Sequence, residues 1–572
     1  MRSWHGNIQE RHPLAVPLLL IAVILAVYYP AMLSGVHMVD DPGIVALYAA
    51  SPALSQILLP GEGYYYRPLL ELSFWLDNLL WGMEPSAMHL ENILLHCADT
   101  LLVYLLARKV QKPSREGFHL LPLLAALLFA LHPVNVEAVA WIAGRTDPML
   151  ALMMLSSCYF WFSWLEDPRG GHLLAALLFF GAALLTKETA LAAGGVLVLT
   201  ALCWQGRASA RQRLTAVGLI ATPALLLVLS ALFFRSGTSA LSRFISGSEL
   251  HLWQGVREIC TAFGFYAAKL VFPLQLNFAI TGVHPGYAFA GVALVPALCW
   301  LWLRQRTVAI LFTCALVMIV PAVVVAVKPI AWTPFAERYL YLPSALCAVG
   351  LSAWVGPGSR QFRLTFILAA VPVLVLFAFF TVQRTMLWKD KLAFIEDAIA
   401  KSPGFGSLYN DLGVIYLQRE DIDKAADAFA VADRLNQRES MRLLIKSNLL
   451  SVEVARGNYL GVRASFFKLF GRKKDAPAQF LELLHKADTR RLATLSGSAK
   501  VELARDLLET LDLLNQKRYD PFWLYRSGQL SLIEGDRTAA ADFFRRAHRF
   551  APADAHYREA ARVYLKKLGQ SP

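Results

Sequence analysis

Long apolar runs alternate with short polar joins over the first two thirds of the chain. About 20 apolar residues are enough to cross a bilayer as a helix, so these runs predict membrane spans. We predict eleven of them, at 14–33, 88–107, 119–136, 148–165, 172–186, 189–204, 214–234, 286–303, 308–327, 339–355 and 364–382. Residues 258–280 are apolar but contain Lys269, Pro273 and Asn277, so they predict a re-entrant or interfacial helix pair.

Residues 42–84 predict short amphipathic helices that lie on the membrane surface. We expect the apolar side chains of one stretch to anchor them at the headgroups: Phe74, Trp75, Leu76, Leu79, Leu80 and Trp81. Beyond residue 382 the pattern changes to mixed, charged and helical. The chain therefore divides into a membrane domain, 1–382, and a second domain, 383–572.

The second domain contains internal repeats. Leu412, Gly413, Tyr416, Ala425, Phe429 and Ala432 match the tetratricopeptide spacing, in which small residues let two helices approach and an aromatic ring fills the gap. A second copy contains Gly528, Gly535, Ala540, Phe544, Ala547 and Pro552. Gly457 and Phe466 suggest a degenerate third, and 388–403 resembles a lone second helix. The fold class is thus all-α: a polytopic helical membrane protein followed by a helical repeat domain.

Composition agrees with this division. The 572 residues are 56% hydrophobic, which excludes an ordinary soluble protein. Beyond residue 382, Lys and Arg number 32 against 24 Asp and Glu, a moderate excess that suits an acidic partner or membrane surface and does not indicate nucleic acid. The seven cysteines lie in or beside apolar runs, with no metal-ligand spacing.

Positive joins set the predicted orientation, because Lys and Arg favour cytoplasmic loops. The candidate cytoplasmic joins are 108–115, 166–169, 207–213, 304–306 and 360–363, and Lys and Arg are enriched in all of them except 166–169, where Arg169 follows Glu166 and Asp167. If these joins are cytoplasmic and the spans alternate in direction, the N-terminus is cytoplasmic as well. The unusual polar motifs and the repeat domain then share the opposite face of the membrane. We interpret the chain as a multi-pass protein of a bacterial inner membrane, with a periplasmic repeat domain.

The first motif on that face is the acidic pair Asp40-Asp41, followed by Pro42. Carboxylates at a membrane face can deprotonate an acceptor or hold a metal. Asp41 before Pro42 also has the pattern of a helix cap, and the local sequence leaves both interpretations open.

The second motif runs from His132 to Asp147. Glu137 has apolar neighbours, and a carboxylate there is costly unless it is paired, which favours a functional role. Arg145 or His132 could be its partner. Asp147, again before a proline, is either a cap or a catalytic group.

Three basic residues complete the candidate site: Arg67, Lys187 and Arg338. Such groups suit a lipid-linked phosphate, which a guanidinium can bind through two hydrogen bonds. The alternative is local ion pairing, Lys187 with Glu188 or Glu337 with Arg338.

These motifs resemble the transmembrane and tetratricopeptide-repeat O-mannosyltransferase-like family, within the GT-C lipid-sugar-dependent glycosyltransferases. The resemblance rests on stretches in the same order: Asp40-Asp41, Tyr66-Arg67-Pro68, His132 to Val139, Gly144-Arg145 with Asp147, and Glu337-Arg338 to Pro343. Asn135 and Thr146 depart from the family pattern.

The resemblance implies an inverting glycosyltransferase that uses a polyprenyl- or dolichyl-phosphate sugar and a protein or glycan acceptor. Asp40, Asp41 and Glu137 are then the catalytic candidates, and Arg67, Lys187 and Arg338 the carrier-phosphate ligands. His132, Arg145 and Asp147 would orient the acceptor. A divalent metal, Mg²⁺ or Mn²⁺, could bind at Asp41 and Glu137. The rival interpretations are a non-catalytic assembly factor, which recruits proteins through its repeats, and a transporter of lipid-linked sugars.

Overall fold

The computed structural model describes residues 14–59, 66–111, 120–235, 252–328, 331, 333–436 and 438–571, without the side chains of 227–235 and 440. These residues are mainly helical, and the only β-type pairing among them is an isolated bridge between Ile280 and Phe335. The chain forms two compact units, Met1–Ser402 and Pro403–Pro572. The all-α fold class is confirmed.

The unit boundary comes later than the predicted boundary after residue 382. The last membrane helix continues to Lys389 without a break, and a further helix, Lys391–Lys401, follows it within the first unit. Ser402 fixes the end of that helix, because its hydroxyl contacts the Asn277 side chain and the Ala279 carbonyl.

Seventeen helices of four residues or more form the described part of the first unit, apart from short 3-10 turns. They are α1 (Ala15–Met32), α2 (Asp41–Ala49), α3 (Leu54–Leu58), α4 (Pro68–Trp81), α5 (Pro85–Val110), α6 (Leu120–Ala130), α7 (Val136–Ala140), α8 (Thr146–Glu166), α9 (Gly170–Leu184), α10 (Ala190–Cys203), α11 (Ala210–Arg235), α12 (Leu252–Val271), α13 (Tyr287–Arg304), α14 (Arg306–Val327), α15 (Tyr341–Val355), α16 (Arg360–Lys389) and α17 (Lys391–Lys401).

Each predicted span falls on a helix except 119–136, whose described residues cover α6, a break and the start of α7, and fewer helices are long and apolar enough to cross a bilayer. Six qualify among the described residues: α1, α5, α8 with the turn before it, α13, α14 and α16. A seventh is the pair formed by α6 and Pro133–Ala140, which bends by 47°. The helices α9 and α10 are apolar but have only 15 and 14 residues. The protein is an integral membrane protein, and the count of eleven spans stays a prediction.

The described residues of the surface stretch 42–84 form the short helices α2, α3 and α4, as expected, and residues 60–65 lie outside the described part; the side chains of α4 divide between two roles. Leu79 and Leu80 on α4 are well exposed, which suits anchoring at the headgroups, whereas Phe74 is 2% exposed and packs in a small core with Tyr48 and Leu70. Phe74 is therefore a core residue and not an anchor.

Residues 258–280 form one helix and an irregular segment instead of the expected helix pair. The helix α12 runs unbroken to Val271 and packs closely against α13. A Cβ on Gly264 would lie 1.9 Å from the Tyr287 carbonyl oxygen, so only glycine permits this approach. The segment after Val271 then reaches the candidate site.

The second unit consists of nine described helices and one 3-10 turn. The helices are α18 (Gly406–Gln418), α19 (Ile422–Leu435), α20 (Glu439–Ala455), α21 (Tyr459–Phe470), α22 (Ala478–Leu492), α23 (Gly497–Lys517), α24 (Pro521–Glu534), α25 (Arg537–Phe550) and α26 (His556–Lys567).

Both predicted repeats form helical hairpins. In the first, α18 and α19, a Cβ on Gly413 would lie 2.6 Å from the Phe429 ring. In the second, α24 and α25, a Cβ on Gly528 would lie 2.8 Å from the Phe544 ring. Both phenylalanines are fully buried, so each ring fills the space that its glycine leaves.

Candidate active site

Asp41 is buried at the first turn of α2, and its carboxylate links two separate segments of the chain. Its Oδ2 accepts a hydrogen bond from the His37 amide at 2.8 Å, and its Oδ1 accepts one from the Ala143 amide at 3.0 Å. The residue has no exposed surface. Burial raises the pKa of Asp41 to about 6, against the two amide hydrogen bonds. Asp41 thus joins the loop after α1 to the segment after α7.

Asp40 occupies the cap position of α2 but does not cap it with its side chain. Its side chain is exposed, and no hydrogen bond or ion pair within the described residues uses its carboxylate. Desolvation by the surrounding protein raises the pKa of Asp40, and the attraction of Arg338 opposes this. Of the two acidic residues, Asp40 is the one whose carboxylate is accessible.

Glu137 pairs with Arg338. Its fully buried carboxylate binds the Arg338 guanidinium, and Oε2 also accepts from the amides of Glu337 at 2.9 Å and Arg338 at 3.2 Å. The guanidinium lies 5.3 Å from the centre of the Trp141 ring and 5.2 Å from that of Tyr339. Glu137 therefore fixes where Arg338 points.

Lys187 pairs with Asp147, at 2.6 Å between Nζ and Oδ1, and both side chains are almost fully buried. Arg67 forms a forked pair with Glu188, at 2.7 Å from Nη2 and 3.1 Å from Nε to Oε2. Neither of the local pairings considered from the sequence forms. Lys187 binds Asp147 and not Glu188, and Glu337 binds Arg384 at 2.8 Å and not Arg338.

The three candidate phosphate ligands lie close together. Burial lowers the pKa of Lys187, and repulsion from Arg67 and Arg338 adds to it against the attraction of Asp147. Lys187 also lies 5.7 Å from the Tyr339 ring, which Arg338 contacts as well. The structure thus brings together three cations from three separate segments.

An amphipathic cleft begins at this cluster. Asp147, Arg338 and Tyr339 line its polar end. Its other walls are mainly apolar and come from α8, α14 and α15: Leu150, Met318, Pro321, Ala322, Leu342 and Pro343. The cavity measures about 20 Å³, which is room for about one water molecule.

Two predicted site residues have other partners. Arg145 is fully buried and binds Asp77 at 2.8 Å and Glu91 at 3.0 Å, so it joins α4 to α5. His132 contacts the Leu270 carbonyl at 3.0 Å and packs on Phe377. The expectation that either one pairs with Glu137 is corrected to Arg338.

The described residues contain no group of three or more His, Cys, Asp or Glu side chains that could hold a metal ion. The carboxylates of Asp41 and Glu137 are already engaged by amides and a guanidinium. As they stand, these residues do not fit a divalent metal, and metal binding stays a prediction.

Sequence reasoning missed Trp141, Glu188 and Arg384. Arg384 stands just beyond the end of the last predicted span, where a boundary cation is ordinary. Glu188 was noted only as a neighbour of Lys187. Trp141, an aromatic residue within the second motif, was the available signal, since aromatic faces attract guanidinium groups.

Residues 68–234 match the family model of the dolichyl-phosphate-mannose-protein mannosyltransferases. The matched stretch contains Glu137, Asp147, Lys187 and Glu188, and it begins just after Arg67. The resemblance seen in the sequence is confirmed.

Curated relatives of this chain are described as protein O-mannosyl-transferases. The chain is 41% identical over 138 residues to the protein O-mannosyl-transferase Tmtc1 of Drosophila melanogaster, covering 24% of this chain and 15% of that one. It is 44% identical over 101 residues to tmtc2 of Xenopus laevis, covering 17% of this chain and 12% of that one. The matches thus span under a sixth of these relatives.

Among solved structures, the chain is similar to ArnT from Cupriavidus metallidurans bound to undecaprenyl phosphate. The TM-score is 0.36 with 14% identity, over 96% of this chain and 84% of that one. This overlap is too loose to add to the argument.

Proposed function

We propose that this chain is a membrane glycosyltransferase that moves a sugar from a polyprenyl- or dolichyl-phosphate carrier to an acceptor hydroxyl with inversion. One observation carries the proposal. Arg338 lines the polar end of an apolar cleft, Lys187 binds Asp147 at the same end, and Arg67 binds Glu188, the next residue after Lys187. The accessible Asp40 adjoins Asp41, which binds the Ala143 amide two residues beyond Trp141, the ring on which Arg338 packs. A carrier phosphate needs the cations, its isoprenoid chain needs the apolar wall, and an acceptor hydroxyl needs the base.

In the proposed reaction Asp40 takes the proton from the acceptor hydroxyl. The oxygen attacks the anomeric carbon, and the bond from that carbon to the phosphate oxygen breaks. The phosphate oxygen keeps the electron pair, and Arg338 and Lys187 stabilise its charge. One displacement at one carbon inverts its configuration.

The buried acids would act through other residues. Glu137 would orient Arg338. Asp147 would pair with Lys187 until the carrier phosphate replaces the Asp147 carboxylate as the partner of Lys187. Asp41 would fix the loop that presents Asp40. From sequence alone Asp40 and Asp41 were both catalytic candidates, and this assignment makes Asp40 the base.

We propose a protein or glycan acceptor, and the repeat unit has a cavity that suits an acidic peptide. The cavity measures about 550 Å³ between α22 and α24. Lys486, Arg490, Arg518 and Arg526 line it beside Phe522 and Trp523, against two acidic residues. The buried His485 Nδ1 has no partner among the described residues and is available to a ligand.

We propose that the acidic pair and the repeat unit lie on the extracytoplasmic, periplasmic side. Cysteine labelling in intact cells tests this on a background without the native cysteines. Ser498 and Ser209 are both exposed. A Ser498→Cys variant should react with an impermeant thiol reagent, and Ser209→Cys should not. The reverse pattern would contradict the orientation.

The activity is tested with full-length protein in liposomes that contain a polyprenyl-phosphate or dolichyl-phosphate sugar. The expected result is transfer to an added acceptor peptide or glycan, with the opposite anomeric configuration by NMR. Retained configuration would exclude the single displacement. Failure with every donor and acceptor would favour the assembly factor, and movement of intact lipid-linked sugar between leaflets would favour the transporter.

A further inference from the structure

A second cavity lies at the end of α16, between that helix, α17 and the segment after α12. It measures about 300 Å³, at the lower end of the range for ligand pockets. Its polar lining includes Arg384, Lys401, Gln383 and Gln275. None of these residues lines the cleft at Arg338.

Three cations gather at this cavity. Arg384 donates from Nη1 to the Leu276 carbonyl at 3.0 Å, and Lys401 donates to the same carbonyl at 2.8 Å. Lys269 binds the Leu274 carbonyl. Two carboxylates oppose them, Glu337 on Arg384 and Asp397 on Lys401. The cluster therefore has a net positive charge of one.

Arg384 has an unused donor. The residue is 7% exposed, and its Nε–H has no partner among the described residues. A buried N–H without an acceptor costs about 1–3 kcal/mol, so an acceptor that entered the cavity would relieve this cost. Arginine also suits phosphate, because its donors match two phosphate oxygens.

The rim of the cavity is apolar. Pro273, Leu274, Phe380 and Leu387 complete its lining. Around them Val271 and Phe272 at the end of α12 are 64% and 67% exposed, and Phe379 and Met386 on α16 are 54% and 51% exposed. Because α16 is long and apolar enough to span the bilayer, this rim lies where acyl chains meet headgroups.

We propose that this cavity binds the phosphate headgroup of a membrane lipid, at a site separate from the candidate active site. Arg384 and Lys401 bind the phosphate oxygens, and the lipid chain lies along the exposed side chains of α16. A free inorganic phosphate would leave the apolar rim unused. The phosphate could belong to a glycerophospholipid or to a polyprenyl phosphate, and the experiment below separates them.

The test is native mass spectrometry of the full-length protein in detergent with added lipid. Phosphatidylglycerol should bind the wild type more tightly than phosphatidylcholine. The Gln383→Glu variant puts a negative charge at the cavity on an exposed position, and Lys401→Gln removes a partly exposed cation. Lys401→Gln should weaken phosphatidylglycerol binding by about tenfold, the effect of losing one charge-assisted hydrogen bond. Gln383→Glu should also weaken it, because the new carboxylate repels the phosphate. The matched control, Gln361→Glu, makes the same change at the other end of α16 and should bind as the wild type does.

Competition identifies the source of the phosphate. Displacement of phosphatidylglycerol by equimolar polyprenyl phosphate would assign the site to the carrier lipid, and its failure would assign it to glycerophospholipid. Equal binding of both phospholipids, unchanged binding in both cavity variants, or full displacement by inorganic phosphate would each overturn the proposal. None of these readouts depends on sugar transfer, so their outcome is independent of the proposed activity.

Discussion

Glu137 holds Arg338 by two separate contacts, since its carboxylate accepts from the Arg338 backbone amide and also pairs with the guanidinium of the same residue. The two residues are 201 positions apart in the chain. The contact joins α7 to the turn before α15 and leaves the guanidinium between two aromatic rings. An arginine that is already fixed in this way loses little conformational entropy when it binds a phosphate.

Removing the charge of Glu137 should impair transfer by the protein that remains folded. Glu137→Gln keeps one oxygen to accept an amide but no longer fixes the guanidinium, so kcat/KM for the lipid donor should fall at least about tenfold. Arg338→Lys should be similarly impaired, because a lysine cannot make the same forked contacts. Kinetics in detergent, with thermal unfolding as the control, check this. Full activity of Arg338→Lys would contradict the role of Arg338.

The buried pair Lys187–Asp147 predicts a stability effect. Asp147→Asn leaves the Lys187 charge buried without its partner, which costs about 3–5 kcal/mol. Asp147→Asn with Lys187→Met should recover most of this loss but not donor binding, because the phosphate ligand is gone. Urea unfolding and donor titration of the single and double variants measure the two effects separately. Donor binding by the stable double variant at the wild-type level would remove Lys187 from the phosphate site.

The repeat unit should fold alone and depend on its close helix contacts. Gly528→Ala puts a methyl group against the Phe544 ring, and overpacking of this kind costs about 1–3 kcal/mol. Gly404→Ala is the matched control, because no atom lies within 4 Å of its Cβ position. Circular dichroism of the 403–572 fragment in urea compares them. A disordered wild-type fragment, or equal stability of both variants, would contradict this account.

Local properties of the chain were predictable from sequence. Helices lie where spans were predicted because hydropathy is set by neighbouring residues. The glycine–aromatic contacts of the repeats followed from fixed offsets such as Gly413 to Phe429. The grouping of Arg67, Lys187 and Arg338 was also expected, since basic joins assign all three to one face.

Long-range partners were not predictable. Arg145 was assigned to the site because it stands near Glu137 in sequence, but it forms ion pairs with Asp77 and Glu91 on two earlier helices. The roles of Asp40 and Asp41 depend on where the Ala143 amide lies, 102 residues from Asp41. Sequence spacing carries no information on such contacts. The number of spans was uncertain for another reason, because α9 and α10 are apolar yet short.

The most direct test of the central claim compares the Asp40→Asn and Asp41→Asn variants in sugar transfer from a polyprenyl-phosphate donor. An amide at residue 40 cannot accept the proton, so kcat should fall at least about 10²-fold while the thermal unfolding temperature stays close to that of the wild type. Asp41→Asn keeps one acceptor for the two amides and should retain more activity than Asp40→Asn. Full transfer by Asp40→Asn would contradict the assignment of Asp40 as the base.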